Sequence, residues 1–207
     1  IDTIISTNAD DNAANTLDLQ LNAITLIVEE AIADNAGDPL SVTVTDNGSV
    51  LRMIASTGAA ANSLKFITTT GTTIELAAGT YSANFDGAGT LKLLGTVVND
   101  EVIGNATTIG TLDMNSNTLD NGAALIKVGT LTLSGSILGG ASLQVTGTAA
   151  IGANVTTTGD QLFQDAAIVS VDTILTNTNS DVTFSSTLNS DATPRDLTID
   201  TGGNTGT

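Results

Sequence analysis

The run NADDNAAN (residues 8–15) sets Asp10 and Asp11 between Asn8 and Asn12. Side-chain oxygens at this density suit Ca²⁺, a hard cation that gathers several oxygen ligands. Calcium is therefore the one cofactor for which the sequence offers ligands, with Asp10 and Asp11 as the candidates. The spacing is not that of an EF-hand, and the same run reads equally well as a solvated loop held by Asn/Asp turn chemistry. Two weaker acidic groups follow: Asn99, Asp100 and Glu101 in VVNDEVIGN, and Asp191 and Asp196 in NSDATPRD.

Other chemistry is scarce. The chain has no Cys and no His, which excludes disulfides, thiolate sites, the usual zinc sites and a Ser-His-Asp triad. Paired carboxylates that cleave polysaccharides usually work beside a base, a cation or an aromatic platform. Here there is one Tyr (Tyr81), no Trp and five dispersed bases, so no catalytic residue is assigned and a non-enzymatic protein is expected. GAGTLKLLG (residues 87–95) has the glycines of a phosphate loop but lacks its G-K-[ST] end and a following helix, so it reads as a corner. Three sequons, at Asn47, Asn105 and Asn154, are what chance produces in a chain this rich in Asn and Thr.

Charge narrows the partners. With 22 acids against 5 bases the net charge is −17, which repels nucleic acid and anionic membranes. The bases Arg52, Lys65, Lys92, Lys127 and Arg195 stand singly and form no basic patch in the sequence. Membrane insertion by this segment is not expected, because the most apolar run, AITLIVEEAIA (residues 23–33), is short and contains Glu29 and Glu30. Charged residues amount to only 13%, so the solvent face must be made mainly of Thr, Ser, Asn and Gly. Those exposed rows are the expected working surface, with no single residue standing out as the contact.

The elements that carry these residues read as strands. Short apolar or alternating runs recur from TLDLQL to RDLTID, each bounded by Gly, Asn, Asp or Ser. One helix or turn is expected over residues 28–37, with Glu29 and Glu30 near its start and Gly37 at its C-cap. LSVTVTDNGSVLRMIAS (residues 40–56) reads as a β-hairpin, Asn47-Gly48 supplying a type I′ turn and Pro39 starting the first strand. From about Ser63 the spelling turns repetitive: GTLKLLG, GTLDMN, GTLTLSG, ASLQVTG, RDLTIDTG. Each has an apolar-polar-apolar triplet: Leu91/Leu93, Leu112/Met114, Leu131/Leu133, Leu143/Val145, Val182/Phe184 and Leu197/Ile199. Their irregular spacing is expected where short strands stack into coils joined by loops of varying length.

This composition suits an all-β solenoid. Aliphatic ladders fill a narrow interior, Thr and Asn face water, and Gly, Asn and Asp turn the corners. Aromatics at 2% suit such an interior better than the alternative, a β-sandwich of pilin or immunoglobulin type. We expect an N-terminal β region with the hairpin over residues 1–62, acting as a cap or assembly element, and solenoid repeats over residues 63–207. The opening at Ile1 and the turn-rich ending TGGNTGT lead us to expect part of a longer polypeptide.

Residues 156–207 carry a resemblance. Thr158, Gly159, Asp160, Gln161 and Phe163, then Asp181, Val182, Thr183 and Phe184, then Leu197, Thr198, Gly202 and Gly203 follow a pattern of TGDQ-x-aromatic, D/N-V-T-F and L-T-apolar-x-T-G-G. The pattern resembles repeats of bacterial surface proteins of the filamentous-haemagglutinin and autotransporter-passenger kind. It covers about the last quarter of the chain, with weaker similarity back to about Ser63. The resemblance implies a right-handed parallel β-helix, export to the bacterial cell surface or beyond, and adhesive or structural duty. Expected partners are surface glycans or proteins of a host or neighbouring cell, or copies of the chain itself in a filament or surface layer.

Overall fold

The apolar-polar-apolar triplets become strands whose aliphatic members turn to one interior. The computed structural model describes residues 15–29, 32, 40–57 and 64–202. In chain order the strands are β1 (Asn15–Gln20), β2 (Thr25–Val28), β3 (Leu40–Thr45), β4 (Val50–Met53), β5 (Leu64–Thr68), β6 (Thr73–Leu76), β7 (Gly79–Tyr81), β8 (Asn84–Gly87), β9 (Thr90–Leu93), β10 (Val97–Asn99) and β11 (Ile109–Asp113). They continue as β12 (Leu119–Asp120), β13 (Leu125–Leu133), β14 (Ser142–Val145), β15 (Ala149–Ile151), β16 (Val155–Thr156), β17 (Gln161–Phe163), β18 (Ala167–Val169), β19 (Thr173–Thr176), β20 (Val182–Phe184), β21 (Leu188–Ser190) and β22 (Leu197–Asp200). All pair in parallel, stacked as a β-solenoid of about eight turns, and no helix occurs among the described residues. A β-sandwich, which needs antiparallel sheets, is thereby set aside.

Three stacked faces result. The first runs β1-β3-β5-β8, continues through bridges at Ile103 to the start of β13, and goes on to β14, β17 and β20. The second runs β2-β4-β6-β9-β11, the end of β13, then β15, β18 and β21. The third runs β7-β10-β12, passes through a bridge at Ile137, and continues as β16, β19 and β22. Strand-to-strand spacing in such ladders is about 4.8 Å.

The core is a set of columns. On the second face Leu26, Leu51, Ile74, Leu91, Leu112, Leu131, Ala149, Ala167 and Leu188 stand in register. On the first face Leu17, Val42, Phe66, Phe85, Ile103, Ile126, Leu143, Gln161 and Val182 do the same. Phe66 stacks on Phe85 with centroids 5.5 Å apart, and Phe163 stacks on Phe184 at 4.9 Å. Parallel in-register stacking thus converts four Phe residues into two aromatic pairs.

One expectation is corrected. Residues 40–56 do not form a hairpin: β3 pairs in parallel with β1 and β5, and β4 in parallel with β2 and β6. The DNG turn is a solenoid corner. Positive φ falls on Asp46 and Gly48 (70° and 83°), and Gly48 N donates to Gly71 O in the next coil. A tight turn satisfied by the coil above bends the chain onto a new face instead of folding it back. The expected helix falls largely outside the described residues; its first residue, Val28, ends β2.

Candidate functional site

The recurring Gly-Thr-Leu spelling has a geometric cause. Gly89, Gly110, Gly129 and Gly147 occupy the corner between the first and second faces. A Cβ on Gly110 would lie 2.1 Å from Ala88 O, and one on Gly129 2.7 Å from Gly110 O. Only glycine fits where successive backbones approach this closely. The following Thr then points outward and the Leu inward, into the second-face column.

The outward positions line up along the stack. Thr25, Val50, Thr73, Thr90, Thr111 and Thr130 are direct partners in register. The neighbouring pairs Leu131–Ala149, Ala149–Ala167 and Ala167–Leu188 continue the column through Thr148, Ala166 and Thr187. One column of mostly threonine thus runs the length of the second face.

Two residues further along each strand lies a second outward column: Ile27, Arg52, Glu75, Lys92, Asp113, Thr132, Ala150, Ile168 and Asn189. Its lower part alternates in charge. Arg52 Nη2 lies 2.6 Å from Glu75 Oε2, and Lys92 stands between Glu75 and Asp113. Its upper part is uncharged. There Thr130, Thr132, Thr148, Ala150, Ala166 and Ile168 line a shallow groove of about 420 Å³.

Other bases are also engaged locally. Lys65 Nζ is 2.8 Å from Asp86 Oδ2, while Asp86 Oδ1 accepts from Ala106 N and Thr107 N. Arg195 makes a two-pronged contact with Asp191, through Nε to Oδ1 at 3.0 Å and Nη2 to Oδ2 at 2.8 Å. That hydrogen-bonded guanidinium holds the Asp191 carboxyl below its usual range. Three of the five bases dispersed in the sequence thus form ion pairs, Arg52 and Lys65 with acids of the next coil and Arg195 with Asp191 four residues away.

The third face ends in a polar interior corner. Asn99 Nδ2 donates to Asn121 Oδ1 at 2.9 Å and to Glu101 O at 2.6 Å, and Asn99 Oδ1 accepts from Ala83 N. Asn121 Nδ2 donates to Ala124 O and Leu125 O. Tyr81 is in register with Asn99 and donates its hydroxyl to Ala77 O at 3.0 Å; burial pushes its pKa up to about 12.

The acidic candidates fare differently. Asp10 and Asp11 lie outside the described residues. Asn99 turns inward, away from the exposed Asp100, and burial followed by the Asp100 charge raises the Glu101 carboxyl. Asp191 already holds Arg195, and Asp172 Oδ1 accepts from Asp196 N. Among the described residues no three acidic groups gather as a metal site. The phosphate-loop glycines are corners: Gly87 N donates to Thr107 O and Gly89 N to Thr68 Oγ1. All three sequon asparagines are exposed.

The charge column, the amide corner and the inward placement of Gln161 escape the sequence reading. Arg52 and Glu75 are 23 residues apart, a separation that no local motif links. No helix among the described residues is long and apolar enough to cross a membrane. No family model, curated protein or solved structure matches the chain.

Proposed function

We propose that the chain is a non-enzymatic structural segment of an extracellular or cell-surface bacterial protein with an adhesin-like role. The observation that carries this reading is the threonine column of the second face, held in register from Thr25 to Thr187. Hydroxyls repeated along a stiff stack present many weak hydrogen bonds in series, and binding in series multiplies modest affinities. A glycan or extended protein surface on another cell is the partner this display suits. The absence of Cys and a surface rich in Thr, Ser and Asn fit an exported chain.

Binding of the purified chain to immobilised glycans and to whole cells tests the proposal. A triple Thr111→Val, Thr130→Val, Thr148→Val variant keeps side-chain shape and removes three hydroxyls. Binding should fall at least about tenfold with an unchanged circular dichroism spectrum, as lost avidity requires. Undiminished binding by the folded variant would overturn the role of the column.

A second reading, a self-assembling subunit joined by strand addition, is favoured by the last described coil. There Leu188 and Ile199 are exposed, and β20, β21 and β22 each pair with a described strand on one side only. Concentration-dependent fibres in electron micrographs would favour this reading, and a monodisperse elongated monomer the first.

A further inference from the structure

Gln161 is the one polar residue in the first-face column that otherwise runs through Leu, Val, Ile and Phe, and it is completely buried. Its Nε2 is fully used, donating to Thr157 Oγ1 at 3.2 Å and to Thr176 O at 2.8 Å. Thr157 in turn donates to Gly159 O. These bonds draw the Gln161 amide into the interior corner that ends the third face. Asn177, 1% exposed, follows Thr176 in that corner. Three atoms remain without a protein partner: Gln161 Oε1, Asn177 Oδ1 and Asn177 Nδ2.

The equivalent corner lower in the stack shows what completion looks like. Around Asn99 and Asn121 both Nδ2 groups have protein acceptors, and the two Oδ1 atoms have protein donors. Buried amide groups left unmatched are costly, and native interiors pair nearly all of them. The chemistry of the unmatched set selects its partner. Two acceptor oxygens do not suit an anion. An inward amide donor does not suit a metal cation. Water alone both donates and accepts at this size.

We infer that the Gln161–Asn177 corner holds enclosed water. The first molecule accepts from Asn177 Nδ2 and donates to Gln161 Oε1; Asn177 Oδ1 accepts a hydrogen bond from the same or an adjoining molecule. The Asn99–Asn121 corner is dry. The solenoid therefore completes one polar corner by two routes, with its own amides below and with captured solvent above.

Water-to-amide cross-relaxation in the NMR spectrum of the full, isotope-labelled chain tests this. The Asn177 side-chain signals are assigned by their loss in Asn177→Ser. A long-lived water cross-peak is expected at the Asn177 side-chain amide and none at those of Asn99 and Asn121. In Gln161→Met the Asn177 cross-peak should disappear or change to the sign of a fast-exchanging water. No cross-peak at Asn177 in the unaltered chain overturns the inference. So does a cross-peak that survives Gln161→Met unchanged in a folded protein. If that variant fails to fold, the contrast between Asn177 and the two lower asparagines in the unaltered chain decides alone.

Discussion

The outward surface of the second face is built two ways along one axis. From β4 to β11 its second column reads Arg52, Glu75, Lys92, Asp113; from β13 to β21 it reads Thr132, Ala150, Ile168, Asn189. Backbone geometry is the same in both. Parallel in-register stacking brings each side chain against its equivalents one coil above and below, so along this column like charges are kept from standing next to each other. The lower column meets that condition by alternation and the upper one by carrying no charge. The difference teaches that register sets which neighbours a side chain has, while the local sequence decides whether the surface is ionic or merely polar.

The largest expected effect contrasts the interiors of these two regions. Phe66→Ala, in the fully buried pair below, should cost about 3–5 kcal/mol, as deletion of a buried aromatic does. Phe184→Ala, at the half-buried member of the other pair in the last described coil, should cost about 1 kcal/mol. Urea unfolding measures both, and equal costs would erase the distinction between lower and upper core.

The glycine corner comes next. Gly110→Ala places a Cβ 2.1 Å from Ala88 O, and the forced backbone shift should cost about 2 kcal/mol. Gly147→Ala, whose nearest obstacle is Gly129 O at 2.9 Å, should cost about half as much by the same overpacking argument. Thermal unfolding of the two variants gives the comparison directly.

Charge deletion follows. Glu75→Gln breaks the alternation beside Arg52 and Lys92 and should cost about 1 kcal/mol at low salt, shrinking as salt is added. Thr132→Ala, at the equivalent position above, should change stability by less than about 0.5 kcal/mol at any salt concentration.

The remaining tests are titrations. Tyr81, the only tyrosine, has its folded pKa raised from 10.0 to about 12 by burial. Its contribution is therefore present below pH 10.0 and is lost as pH rises through about 12, so phenolate absorbance should not grow until then. Asp191 has the opposite sign. Its folded pKa is depressed, so its contribution is present above the ordinary 3.8 and lost as pH falls through the lower folded value. In Arg195→Gln its pKa, followed by carboxyl NMR shifts, should return toward the ordinary value.

Legibility followed the range of the interaction. The strands, the corner glycines and the aliphatic filling were readable because each depends on neighbours within a few residues. Leu91/Leu93, Leu112/Met114 and Leu131/Leu133 do form one inward series, on the second face. Leu143/Val145 and Val182/Phe184 belong to the first face, and Leu197/Ile199 to the third. Mixing three faces made the spacing look irregular. Ile199 is 47% exposed, since no further described coil covers it. The DNG corner misled because its positive-φ chemistry serves a hairpin and a solenoid bend alike. The second face was legible as Thr-rich but not as a column. Its register depends on coil lengths: Thr25 pairs with Val50 across 25 residues, whereas Thr73 pairs with Thr90 across 17. Gln161 read as a motif residue, and its inward direction became visible only through its pairing with Leu143.

Because the ladder hydrogen bonds of all three faces point along the stack, tension between its two ends loads them one layer at a time. The thread would then open by peeling from an end, with no simultaneous shear of a whole sheet. With 17 to 25 residues per layer, each event would release roughly 55–90 Å of extended chain. A stack built this way would yield to a pull in steps, one layer after another.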